Sequence, residues 1–214
     1  MLERKTFSNR AEWLAGRTNG IGASEAAATI GISPFMSTYE LWEEKTGKRG
    51  SKDLSGNPVI EYGNRIEPAM RVMFQAEHPE LELEYYQFDI LFQGERPWMT
   101  ATLDGELKDA NGRRGILEIK TASVGKKSQR EKWHDAIPLY YRAQICHQLL
   151  VTGWDFAVLY AKLVKLNGDS ELRTYWFERE DMKEELDWLL KQETDFWNKF
   201  VLTKTAPPAT LPVL

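Results

Sequence analysis

A chain of 214 residues that is 42% hydrophobic and 12% aromatic can bury one sizeable core, which excludes a disordered polypeptide. Its net charge of −4 excludes a protein that grips nucleic acid by bulk positive potential, and its single cysteine, Cys146, excludes an intrachain disulfide framework or a cysteine-based metal centre. The three histidines, His78, His134 and His147, have no metal-ligand spacing, and no apolar run approaches the ~18 residues of a membrane span or forms a secretory h-region after MLERKTFSNR. A protein of the reducing cytoplasm is expected.

Along the chain, Ser24 is placed to cap a short helix over EAAATI that Gly31 stops, and Ser37 with Glu40 forms a capping-box spacing ahead of LWEEKTG. VIEYGNRIEPAMRVMFQAEH has the apolar spacing of a longer helix, and Pro68 inside it, lacking an amide donor, predicts a bend or restart at Glu67. Strands are expected near residues 81–92, 98–107 and 114–122, the last two joined through the Asn-Gly pair of KDANGR as an antiparallel hairpin. PLYYRAQICHQLLVTG reads as a helix from Pro138 to Gly153, followed by strands FAVLYAKLV and LRTYWFE and an amphipathic helix over 179–202. This order predicts an α+β or mixed α/β fold, with one domain over residues 1–203 and an extended proline-containing tail over 204–214.

The strand GILEIKTAS carries the chemistry. Alternation puts Ile116, Glu118 and Lys120 on one face and Leu117, Ile119 and Thr121 on the other, so that one face is core and the other charged. An E-x-K pair alone is most simply an ion pair on an exposed strand face. The hairpin, however, brings Asp104 beside Glu118, and the helix irregularity adds Glu67. Carboxylates of this kind suit Mg²⁺ or Mn²⁺, and a nearby ammonium suits a reacting phosphodiester, where negative charge develops.

GRTNGIGASEAA, ELWEEKTG, YGNRIEPAMRVMF, TLDGEL, LEIKT and YYRAQICHQLLVTG follow one another between residues 16 and 153. In that order they resemble the lambda-exonuclease or viral-recombinase (alkaline exonuclease) branch of the PD-(D/E)XK nuclease superfamily. The resemblance implies a restriction-endonuclease-like core, a central mixed β-sheet flanked by helices. It implies Asp104, Glu118 and the carbonyl of Ile119 as metal ligands, Glu67 as the helix acid that contacts metal or its water, Lys120 as the catalytic lysine, and Gln144 as a glutamine beside them. Leu103, where many members have proline, departs from the pattern.

The implied activity is Mg²⁺-dependent 5′→3′ digestion of linear double-stranded DNA to mononucleotides, with two ions, Mn²⁺ as a substitute metal, and a 3′ single strand left behind. The implied partners are double-stranded DNA ends, a single-strand annealing protein and two further copies of the chain in a homotrimer. Arg17 and Ser24 in RTNGIGASEAA are expected to hold the 5′-phosphate. In KKSQREK, Lys126, Lys127, Arg130 and Lys132 are expected on the DNA backbone. The basic loop KRGSKDLSGNP is expected near the duplex, with Val59 or Ile60 as a strand-separating wedge. Two alternatives stay open: another nuclease of the superfamily, or an inactive DNA-end or partner-binding module.

Overall fold

The structure, a computed structural model, describes residues 1–51 and 56–208 and, of Lys127, the backbone only. The expected tail from residue 209 onward and part of the basic loop, residues 52–55, lie outside the described residues.

The elements in order are β1 (Glu3–Thr6), α1 (Arg10–Arg17), β2 (Ile21–Gly22), a 3-10 turn (Ala23–Glu25) running into α2 (Ala26–Thr29), α3 (Thr38–Lys45) and α4 (Pro58–Glu77). Next come β3 (Glu82–Glu84), β4 (Asp89–Gln93), β5 (Arg96–Ala101), β6 (Gly105–Lys108), β7 (Arg114–Ser123), α5 (Lys127–Glu131) and α6 (Leu139–Thr152). The chain continues through β8 (Phe156–Val164), β9 (Ser170–Glu178) and α7 (Lys183–Phe196), which a π-helical turn over Trp197–Val201 extends.

The strands form two mixed sheets, one ordered β1-β4-β5-β2 and the other β3-β6-β7-β8-β9. The expected strand 81–92 is therefore two strands in different sheets, and so is 98–107. Both breaks have a tertiary cause: β4 and β5 pair with each other, while β3 and β6 are claimed by the sheet built on β7. Residues 102–104 carry the chain from one sheet to the other. The expected hairpin is present, with Gly105 opposite Leu117 and Lys108 opposite Arg114.

The strand β7 is central, antiparallel to β6 over Arg114–Leu117 and parallel to β8 over Gly115–Ser123. Both of its faces are covered. On one, Leu117 and Ile119 meet Met70 and Phe74 of α4; on the other, Ile116 packs in the cluster that holds Ile145 and Leu149 of α6 with Leu186 and Leu189 of α7. The charged face is covered too: α6 lies over it and Glu118 is only 2% exposed, so the simple reading of an ion pair on an exposed strand face does not hold. Leu91, Met99 and Ala101 of the first sheet join the same cluster, so α6 packs against both sheets.

The helix α4 runs as one element across Pro68, so the expected restart at Glu67 does not occur. The lost bond at the Asn64 carbonyl is outweighed by the intact turns on either side and by burial of Met70 and Phe74. The capping box of Ser37 and Glu40 forms as expected, and α6 ends at Gly153 with φ +69°, a conformation that favours glycine. Ser24 does not cap α2. The Glu25 carboxylate accepts from the Gly22 amide at 2.8 Å, which tightens the chain one step earlier and leaves Ser24 exposed inside the 3-10 turn.

Candidate active site

An ionised carboxylate as buried as Glu118 is tolerable only with charged or hydrogen-bonding partners. It has three. Its Oε1 accepts from Gln144 Nε2 at 2.6 Å and lies 2.6 Å from Lys120 Nζ, while Oε2 accepts from Gln148 Nε2 at 2.5 Å. Gln144 and Gln148 are one helical turn apart on α6, so both amides face β7. The ring of Tyr141, from the same helix, lies 5.2 Å from Lys120 Nζ.

Asp104 follows from the chain's passage between sheets. In the antiparallel register it lies one position beyond the Gly105–Leu117 pair, opposite Glu118, and its Oδ2 accepts from the Ile119 amide at 2.7 Å. Burial pushes its pKa well up, and the charges of Glu118 and Glu67 push it further, against the pull of Lys120 and the Ile119 amide. For Lys120, burial acts to lower the pKa, but Glu118 and Asp104 outweigh it and hold the ammonium charged.

Glu67 reaches this cluster through its charge, and its own carboxylate is 2.5 Å from Arg71, four residues on along α4. Arg71 also donates to the Asp104 carbonyl at 3.2 Å and lies over the ring of Tyr85 at 3.7 Å. Among the described residues no three acidic, histidine or cysteine side chains converge on a single cation position. The donor set nevertheless fits a hard divalent ion. The carboxylates of Asp104 and Glu118 and the Ile119 carbonyl are all oxygen donors, and a cation relieves both the burial of the Asp104 charge and its repulsion by Glu118, which together raise the Asp104 pKa.

Arg17, at the end of α1, stacks over Trp13 at 4.6 Å and has no carboxylate within ion-pair distance among the described residues. Burial lowers its pKa, opposed by the charges of Glu25, Asp104 and Glu118, which places the guanidinium within electrostatic reach of the acids. Nearby, Lys45 is held by Glu25 at 2.7 Å. Gly20, ahead of β2, approaches the first sheet so closely that an added Cβ would sit 2.4 Å from the Trp98 carbonyl oxygen. The helix after Ser24 has only four residues, so it offers little dipole to an anion. Lys126, Arg130 and Lys132 are exposed on or beside α5, and the Lys127 side chain lies outside the description. Val59 is 69% exposed at the start of α4.

Three residues not expected from the sequence join the site: Gln148, Arg71 and Tyr141. The first had a signal, its four-residue spacing from Gln144; Arg71 likewise stands four residues after Glu67. Behind α6, His147 and Glu193 are fully buried as a pair, with Nδ1 2.8 Å from the carboxylate and Nε2 3.0 Å from the Thr100 carbonyl.

Comparison with known proteins bears on the family and the fold. A protein of Bacillus subtilis (strain 168), named "Uncharacterized protein YqaJ", is 29% identical over 208 residues, 97% of this chain; the chain spans 61% of that relative's length. Among solved structures, the alkaline exonuclease LHK-Exo from Laribacter hongkongensis has a TM-score of 0.58 at 17% identity, covering 92% of this chain and 100% of that one. LHK-Exo has also been solved in complex with dAMP, with a TM-score of 0.57 at 16% identity over 91% of this chain and 98% of that one. A phage related exonuclease from Haemophilus somnus 129PT has a TM-score of 0.54 at 13% identity, covering 86% and 96%. At these identities the likeness to the solved structures is one of fold. Residues 12–155 match the YqaJ-like viral recombinase domain, and the chain belongs to that family.

Proposed function

We propose that this chain is a Mg²⁺-dependent exonuclease that digests linear double-stranded DNA 5′→3′, releases mononucleotides and leaves a 3′ single strand for annealing. The observation that carries the proposal is Glu118, an acid buried on a central strand, gripped by Lys120, Gln144 and Gln148 and facing Asp104. Family membership and the fold shared with two exonucleases support it.

Hydrolysis of a phosphodiester forms a bond from water oxygen to phosphorus and breaks one to a leaving alkoxide, so charge must be neutralised on both sides of the phosphorus. A divalent ion held by Asp104, Glu118 and the Ile119 carbonyl, with Glu67 at its edge, would supply Lewis acidity to water and phosphate. Lys120 orients the attacking water and steadies the charge that builds on phosphate oxygens. Gln144 and Gln148 each donate to one oxygen of Glu118 and so fix the orientation of its carboxylate beside Lys120. Arg17, cationic and without a carboxylate partner among the described residues, binds the terminal 5′-phosphate beside Ser24, and this fixes which linkage reaches Lys120. The basic side chains of Lys126, Lys127, Arg130 and Lys132 track the DNA backbone.

In this proposal residues 1–203 act as one domain, copies associate as a homotrimer around the DNA, and the product strand passes to a single-strand annealing protein in the cytoplasm. No described helix is long and apolar enough to cross a membrane. The test is end-labelled linear duplex incubated with Mg²⁺ or with chelator, beside closed circular duplex. Mononucleotide release from the 5′ end, with Mg²⁺ only and with circles intact, is expected, and Lys120→Ala abolishes it while keeping the wild-type circular dichroism. Efficient cutting of circles refutes the exonuclease assignment, and wild-type digestion by Lys120→Ala removes the lysine from the mechanism.

A further inference from the structure

Phe35 lies between α2 and α3 and is 73% exposed, although a phenylalanine usually contributes by burial. It is held there by local structure: Pro34 precedes it, and its amide donates to Ser33 Oγ at 3.2 Å. Its ring meets the edge of Tyr140 at a centroid distance of 5.6 Å and an interplanar angle of 85°. Tyr140 in turn lies 4.4 Å from Tyr141, whose ring lies 5.2 Å from Lys120 Nζ. The same Tyr140 packs against the cluster that Ala26 and Ala27 of α2, the helix of the amino-terminal motif, form with Ala143 of α6. A continuous run of rings thus leads from the lysine to an exposed aromatic face and borders the segment that holds Ser24.

We propose that Phe35, backed by Tyr140, is a stacking platform for the base of the terminal nucleotide on the strand being digested. The proposal rests on the exonuclease reading above and adds to it a contact with the base, where that reading has only phosphate contacts. A flat ring beside a phosphate site suits a nucleobase, and stacking accepts every base because each has a π-face. Charge and hydrogen bonding to the phosphate fix the strand's position, and the ring fixes the orientation of its last unit.

The experiment uses duplexes with 2-aminopurine at the 5′-terminal or the 3′-terminal nucleotide and an anisotropy dye at the opposite end, with Ca²⁺ in place of Mg²⁺. Wild type is expected to bind and to quench the 5′-terminal 2-aminopurine. Phe35→Ala is expected to lose that quenching and bind about tenfold more weakly, and Phe35→Trp to restore both. On an end whose terminal nucleotide is abasic, wild type and Phe35→Ala are expected to bind alike. An unchanged thermal midpoint shows that Phe35→Ala is folded. If folded Phe35→Ala quenches as wild type does, the platform is refuted while the exonuclease reading stands. Phe35-dependent quenching at the 3′ terminus keeps the platform and refutes 5′→3′ polarity; absence of DNA binding by wild type refutes both.

Discussion

His147→Leu tests whether the pair behind α6 holds the site's scaffold. Both ring nitrogens of His147 face acceptors, Glu193 through Nδ1 and the Thr100 carbonyl through Nε2, so the fold holds the imidazolium with two donors. Leucine would remove a charge-assisted bond, leave the Glu193 carboxylate buried without that partner, and strip the Thr100 carbonyl of its donor. Breaking one side of a buried ion pair costs about 3–5 kcal/mol, a large share of the ~5–15 kcal/mol that stabilises a domain. Burial pulls the pKa of His147 down, but the charge and hydrogen bond of Glu193 and the Thr100 carbonyl outweigh it, and the folded value is raised. The pair's contribution is therefore complete below the unfolded value of about 6.5 and declines as pH rises through the raised folded value. Urea unfolding at a series of pH values should show wild-type stability falling above pH ~6.5, with that slope absent in His147→Leu and part of the loss recovered in His147→Leu/Glu193→Leu. A His147→Leu cost below about 1 kcal/mol, or a pH slope shared by wild type and variant, would refute the reasoning.

Arg17→Ala should abolish the preference for 5′-phosphorylated over 5′-hydroxyl duplex ends in a digestion assay; an unchanged preference puts the phosphate site elsewhere. Gln148→Leu removes the donor to Glu118 Oε2 and should lower the digestion rate roughly 10–100-fold and raise the Mg²⁺ concentration needed for half-maximal rate, as changes to groups that orient metal ligands do; the outcome against it is an unaltered Mg²⁺ titration. Gly115→Ala places a Cβ 2.2 Å from the Phe156 ring across the parallel pair, so overpacking should cost about 1–3 kcal/mol in urea unfolding, and a neutral change would mean the sheet yields there freely.

What the sequence made legible was local. The Ser37–Glu40 box and the glycine after LLVT set helix ends by hydrogen bonds within a turn, and Asn111–Gly112 joined strands only a few residues apart. The opposition of Asp104 and Glu118 followed from that hairpin. What stayed hidden depends on distant partners. Thr102 and Leu103 look like continuing strand, and only competition between two sheets for β5 and β6 shows where the chain must break. The burial of Glu118 required knowing that α6 crosses above β7, and the Thr100–His147–Glu193 contacts join three segments up to 93 positions apart, from residue 100 to residue 193. Ser24 was misplaced for a smaller reason: the helical turn starts at Ala23, with Gly22 at the capping position and its amide bound by Glu25, so Ser24 already lies inside the turn.

The strand β5 has a further consequence. Its Thr100 pairs with Gly22, two residues before Ser24, and four residues beyond Thr100 the same chain delivers Asp104 to the acids. The part that would sense an end and the part that would cut are therefore mounted on one short ruler, braced by sheet pairing on one side and His147 on the other. For an enzyme that counts from an end, such a ruler makes the length of each released piece a property of the backbone, indifferent to base sequence and to the looseness of surface loops.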